Sequence, residues 1–177
     1  ILLGWRHGNR FCQRIKKSPE TEVWYLDEAR FGQQGRMSRI WAIKGTRPQG
    51  ARQIQYENAW IYGAVNPESG DHFGLILPSV NSDCAKIFMH HLYEYIGSEK
   101  KVVLIMDQAK WHYSHNDSHN IKALFLPPYS PELNPIERLW LWMKDNYLSN
   151  KIFKNYKELV EAGTFAWNQV TLSLIHI

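Results

Sequence analysis

Val102-Val103-Leu104-Ile105 is an unbroken apolar run between Lys101 and Met106. A strand with one wet face alternates apolar and polar residues, whereas an unbroken run marks a central strand covered on both faces. Ile121 to Leu126 is a second run of this kind. Two such strands require helices on both sides of a sheet, which restricts the chain to layered α/β architectures.

The rest of the pattern fits that frame. Val23-Trp24-Tyr25-Leu26 is β-branched, aromatic and apolar, a buried strand expected to end at Asp27. Arg39 to Lys44, Trp60 to Val65 and His72 to Leu77 are further short strands, with Asn66-Pro67-Glu68-Ser69-Gly70 as a turn. Together these predict an antiparallel meander. Cys84, Ile87, Phe88, His91, Leu92 and Tyr95 then recur at three- and four-residue steps, a helix capped by Asn81 and closed by Gly97. Ile136, Leu139, Trp140, Met143 and Tyr147 mark one face of a helix starting at Pro135, and residues 156–168 make a last helix. Trp140 and Trp142 are read as packing residues.

At 177 residues the chain is sized for one domain. With 44% hydrophobic and 21% charged residues, composition excludes a disordered tail, a collagen-like repeat and a membrane bundle. Cys12 and Cys84 cannot make a disulfide framework, so a reducing compartment is expected. Residues 1–18 hold Arg6, Arg10, Arg14, Lys16 and Lys17 with no acid, and read as a linker or the remnant of a preceding domain. Leu172 to Ile177 reads as the translation of a sequencing-library adapter, which leaves residues 19–171 as the domain proper.

Charge is unevenly placed. The net charge is +4, but Arg30, Arg36, Arg39, Lys44, Arg47 and Arg52 all fall between Glu28 and Glu57 with no acid among them. Beside Trp41 this is a candidate phosphate-tracking surface, or else a solvated hairpin.

Three acids stand where chemistry collects in open sheets, at the carboxyl ends of strands and on a facing helix. Asp27 follows the first strand, Asp107 follows the most apolar one, and Glu137 lies in the first turn after Pro135. Neighbouring carboxylates repel and call for a counterion. Mg²⁺, an oxygen-seeking ion that keeps waters and binds phosphates, suits them. Two such ions would serve phosphodiester cleavage. Each acid also has a structural role open to it. Asp27 and Glu28 would be solvated at a strand end, Asp107 would accept a turn hydrogen bond, and Glu137 would close a capping box on Asn134. His112, His115 and His119 around Asp117 lack a nearby cysteine and do not make a zinc motif.

Leu126-Pro127-Pro128-Tyr129-Ser130-Pro131-Glu132-Leu133-Asn134-Pro135-Ile136-Glu137 resembles the signature of DDE transposases of the mariner superfamily, in their bacterial insertion-sequence branch. Tyr25 to Gly32 resembles the block around that family's first catalytic acid, and Met106 to His112 the block around its second. Trp41, Gly45, Arg47 and Pro48 match its second strand and turn, and the likeness runs from about Val23 to about Trp167. The spacing of 29 residues between Asp107 and Glu137 is shorter than usual there.

The resemblance implies a ribonuclease-H-like mixed sheet, an antiparallel meander plus parallel strands, flanked by helices. It implies Asp27, Asp107 and Glu137 as the catalytic triad holding two Mg²⁺ ions, with Mn²⁺ able to substitute. Glu28 carries no such role. Cleavage at transposon ends and strand transfer into target DNA follow as the expected activity. Double-stranded DNA is the expected partner, gripped by Arg30, Arg36, Arg39, Trp41, Lys44, Arg47 and His112. The resemblance further implies a homodimer on DNA and a cytoplasmic, nucleoid-associated bacterial protein with no membrane partner. Two alternatives stay open at this point: an inactive, domesticated or truncated DNA-binding scaffold, and a nuclease without strand transfer.

Overall fold

The computed structural model describes residues 20–33, 42–46, 56–109 and 120–171. Segments 1–18 and 172–177 lie outside the described residues, as do Arg36, Arg39, Trp41, Arg47, Arg52 and the histidines at 112, 115 and 119.

Five strands form one sheet. They are β1 (Thr21–Gly32), β2 (Asn58–Val65), β3 (His72–Leu77), β4 (Lys101–Met106) and β5 (Ile121–Phe125), in the spatial order β3-β2-β1-β4-β5. β1, β2 and β3 pair antiparallel, while β1, β4 and β5 pair parallel. The fold is the expected mixed sheet. β4 sits inside it, as its apolar run requires, whereas β5, expected from sequence to be a second central strand, lies at the edge of the described sheet, with exposed Lys122 interrupting its run.

Helix α1 (Ser82–Ile96) covers one face. Asn81 caps it by accepting from the Cys84 N–H at 2.8 Å, and Gly97 ends it at φ 83°, donating to the Tyr93 carbonyl. Its Cys84, Phe88, Leu92 and Ile96 pack on Trp24, Leu26, Tyr62, Leu104 and Met106. Helices α2 (Ile136–Met143) and α3 (Tyr156–Trp167) cover the other face. There Ile136, Leu139, Trp140, Met143, Leu159 and Trp167 pack on Val23, Tyr25, Phe31 and Ile105. Alternate residues of β1 thus serve opposite layers, as strand geometry dictates.

Three boundaries differ from the sequence reading. β1 does not stop at Asp27; it runs on to Gly32, because antiparallel pairing with β2 continues from Asp27–Gly63 to Gly32–Asn58 and carries its polar residues. Residues 42–46 form a turn and no strand: Gly45 takes φ 89°, and Thr46 donates to the Ile43 carbonyl from both N–H and hydroxyl. The third concerns α2, which does not extend as α-helix to Tyr147. It opens into a π turn at Lys144–Leu148, closed by Ser149 N–H donating to the Lys144 carbonyl at 2.7 Å.

Candidate active site

β1 and β4 bring the two aspartates together. Their parallel register ends at Tyr25–Ile105, so Asp27 and Asp107 follow two residues further along each strand. Tyr25 and Ile105 both face α2 and α3. A two-residue step returns a side chain to the same face, so Asp27, still within β1, lies on the α2 side of the sheet, while Asp107 follows the last residue of β4. Glu137 comes down on that side from the first turn of α2.

The acids differ in surroundings. Asp27 is half-buried, while Asp107 and Glu137 are exposed. Burial and the nearby Glu137 carboxylate push the Asp27 carboxyl up to about 7, with Glu28 adding to the rise and the Trp140 hydrogen bond opposing it. One Asp107 oxygen accepts from the Ala109 N–H at 3.0 Å, the turn bond that its position permits. Glu137 does not close a capping box with Asn134, whose N–H already donates to the Pro131 carbonyl at 3.0 Å. Among the described residues, no group of three or more His, Cys, Asp and Glu side chains stands ready to hold a metal ion. The closed element is the Asp27–Glu137 pair, with Asp107 beside it on the next strand.

Two residues that position Asp27 escaped the sequence reading. Trp140 is a core residue, as expected, but its indole N–H also donates to an Asp27 oxygen at 2.9 Å. Gly63 is the cross-strand partner of Asp27. A Cβ at Gly63 would stand 2.6 Å from the Trp140 ring, so only glycine lets the indole lie flat enough on β2 to reach the carboxylate. The available signal was the three-residue step from Glu137 to Trp140, which puts both on one helix face.

Glu28 points to the opposite layer. It pairs across β1 and β2 with buried Tyr62, and burial followed by the Glu28 charge pushes the Tyr62 hydroxyl above its usual range. That sets its side chain on the face of β1 opposite Asp27, although its charge still adds to the rise at Asp27. Of the proposed DNA contacts, Arg30 on β1 and Lys44 in the 42–46 turn are described, and both are exposed. A cavity of about 440 Å³ opens beside Glu137 and Trp140, with Arg30, Tyr56, Asn58 and Lys144 among its lining residues.

Residues 22–160 match the family described as DDE superfamily endonuclease. The protein y4pE/y4sA of Sinorhizobium fredii (strain NBRC 101917 / NGR234), itself uncharacterized, is 41% identical over 114 residues, which cover 63% of this chain and 84% of that one. Among solved structures, the catalytic domain of Mos1 mariner transposase aligns with TM-score 0.62 at 16% identity, covering 98% of this chain and 83% of that one. A Mos1 mariner paired end complex with Mn aligns with TM-score 0.70 at 14% identity. The chain spans 56% of the Mos1 chain in that complex. The sheet order and its two helical layers are thus those of a mariner transposase catalytic domain. Through the match over residues 22–160, the chain belongs to the DDE superfamily endonuclease family.

Proposed function

We propose that this chain is the catalytic domain of a DNA transposase, in which Asp27, Asp107 and Glu137 hold divalent metal for phosphodiester cleavage and strand transfer. The observation that carries the reading is the pairing of a half-buried Asp27 carboxyl, held by the Trp140 N–H at 2.9 Å, with the nearby Glu137 carboxylate: burial first and Glu137 second push Asp27 up to about 7. Such an arrangement costs stability by itself and gains it back with a cation. The donor set is all carboxylate oxygen, which fits Mg²⁺ or Mn²⁺. When bound, the ions supply charge neutralisation and an activated water.

The chain's own groups do the rest. Trp140 fixes one Asp27 oxygen and leaves the carboxylate oriented toward α2. Asp27 would hold a divalent cation in its deprotonated form. Asp107, which accepts from the Ala109 N–H here, would be a further carboxylate ligand. Arg30 and Lys44 meet phosphates of the double-stranded DNA, with Arg36, Arg39, Trp41, Arg47 and His112 completing that surface. Water adds to the phosphorus at a transposon end, and the departing 3′-oxygen leaves as a hydroxyl. That hydroxyl then attacks a phosphodiester of target DNA, forming a new P–O bond as the target strand's own 3′-oxygen leaves as a hydroxyl. Two ions and a homodimer on paired ends belong to the same proposal. The Mos1 paired end complexes, with Mn in one and Mg in another, support it by likeness of fold.

End-labelled duplexes carrying the element's terminal repeats, incubated with Mg²⁺ or Mn²⁺ and a target plasmid, test this. Cleaved ends joined to the plasmid are expected. Cleaved ends that never join would reduce the reading to a nuclease, and intact duplexes in both metals would overturn it.

A further inference from the structure

The connection from β5 to α2 carries a side chain that the fold does not use. Tyr129 is 101% exposed relative to a free residue, so its ring packs against nothing among the described residues. Its backbone is left-handed, at φ 57°. Among the described residues only Asn150 shares that conformation without being glycine, and asparagine tolerates it where tyrosine does not. Pro128 precedes it in a turn, an order in which the next residue favours glycine. Folding alone would therefore select against tyrosine here, on both backbone and burial grounds.

The place of the ring gives it a use. The β5–α2 connection is anchored at both ends beside the aspartates. At one end the Leu126 N–H donates to the Met106 carbonyl at 2.8 Å, next to Asp107, and Gln108 donates to the Leu126 carbonyl at 3.0 Å. At the other, buried Asn134 donates to the Leu26 carbonyl at 3.2 Å, next to Asp27. The loop is thus tied down beside the end of β4 and beside the middle of β1. Its path is stiffened by Pro127, Pro128 and Pro131 and by the Ser130 hydroxyl bond to the Pro128 carbonyl. Tyr129 lies on this stiffened connection, between its anchor beside Asp107 and its anchor beside Asp27.

We propose that the Tyr129 ring stacks on the base of a nucleotide next to the bond being cut, and so positions the strand over Asp27, Asp107 and Glu137. This rests on the nuclease reading above. An aromatic face accepts any base, which suits a contact that holds a strand in place without reading its sequence.

The test uses oligonucleotides with 2-aminopurine beside the cleavable phosphate, bound to the whole chain without metal. Fluorescence should be quenched by the wild type and by Tyr129→Phe, and left unquenched by Tyr129→Gly. In Mn²⁺-dependent cleavage, Tyr129→Gly should lose about tenfold in kcat/KM, the size of one lost stacking contact, and Tyr129→Phe should stay within about twofold. Glycine suits φ 57°, so the Tm of Tyr129→Gly should hold or rise, which keeps a folding defect apart from a lost contact. Equal quenching by wild type and Tyr129→Gly would overturn the proposal. So would a Tyr129→Phe loss as large as that of glycine, which would point to the hydroxyl, or a Tyr129→Gly effect confined to oligomeric state, which would point to a protein contact. The quench needs no cleavage, so a wild type that quenches but never cuts refutes the nuclease reading and leaves this one standing.

Discussion

Asp27 is the residue on which stability and chemistry oppose each other. Its carboxyl, raised to about 7 by burial and Glu137 from an ordinary value of 3.8, prefers to be neutral in the folded chain. The sign follows from linkage. A raised folded value stabilises the fold fully below 3.8, and that contribution is lost as pH rises through about 7. In chelator, the metal-free chain should therefore unfold at lower temperature at pH 8 than at pH 6. Asp27→Asn keeps an acceptor for the Trp140 N–H and removes the charge. It should flatten that pH response and stabilise the metal-free chain at pH 8 by about 1–2 kcal/mol, while abolishing stabilisation by Mn²⁺. Thermal unfolding with and without metal reads all three effects. An unchanged pH response in Asp27→Asn would show that another group carries it.

At the scale of elements, the site depends on how closely α2 approaches the β1–β2 pair. Gly63 sets that approach by admitting the Trp140 ring, which also stacks on Trp167 at 5.6 Å between centroids. Gly63→Ala should push the indole outward, cost about 1–3 kcal/mol from overpacking and weaken the bond to Asp27. Tryptophan fluorescence and chemical denaturation measure the two parts. The opposite end of β1 offers a contrast. Glu22 meets the Lys100 ammonium at 2.8 Å and accepts from Trp24. Partial burial works to raise the Glu22 carboxyl, but Lys100, Trp24 and Asn66 together hold it below its ordinary 4.5. A lowered folded value stabilises above 4.5 and loses that contribution as pH falls through the folded value. Glu22→Gln should therefore cost at most about 1 kcal/mol at pH 7, since Lys100 is half exposed, with the difference shrinking in acid. Urea denaturation at pH 7 and pH 3 checks it.

For the whole molecule, periodicity carried most of the architecture. The unbroken run at Lys101–Met106, the short strand at His72–Leu77 and the caps at Asn81 and Gly97 lie where local chemistry puts them. The end of β1 was not readable, because pairing with β2 overrides the polar character of Asp27, Glu28 and Arg30. Nor was the turn at residues 42–46 readable as such, since Gly45 outweighs the β-branched Ile43 beside it. Asp27 and Asp107 were readable as acids following apolar strand runs, and Glu137 as one in the first turn of a helix. What held Asp27 in place was not, because Trp140 and Gly63 meet it only through contacts distant in sequence. The central claim is that these acids form one metal-dependent centre for cutting DNA. It is tested most directly by Mn²⁺-dependent nicking of a supercoiled plasmid carrying the element's ends, with wild type beside Asp107→Asn of matched circular dichroism. Asp107 is exposed and contributes little to the core, so the variant should fold normally and lose at least about a hundredfold in nicking rate. A folded Asp107→Asn that nicks as fast as the wild type would contradict the account.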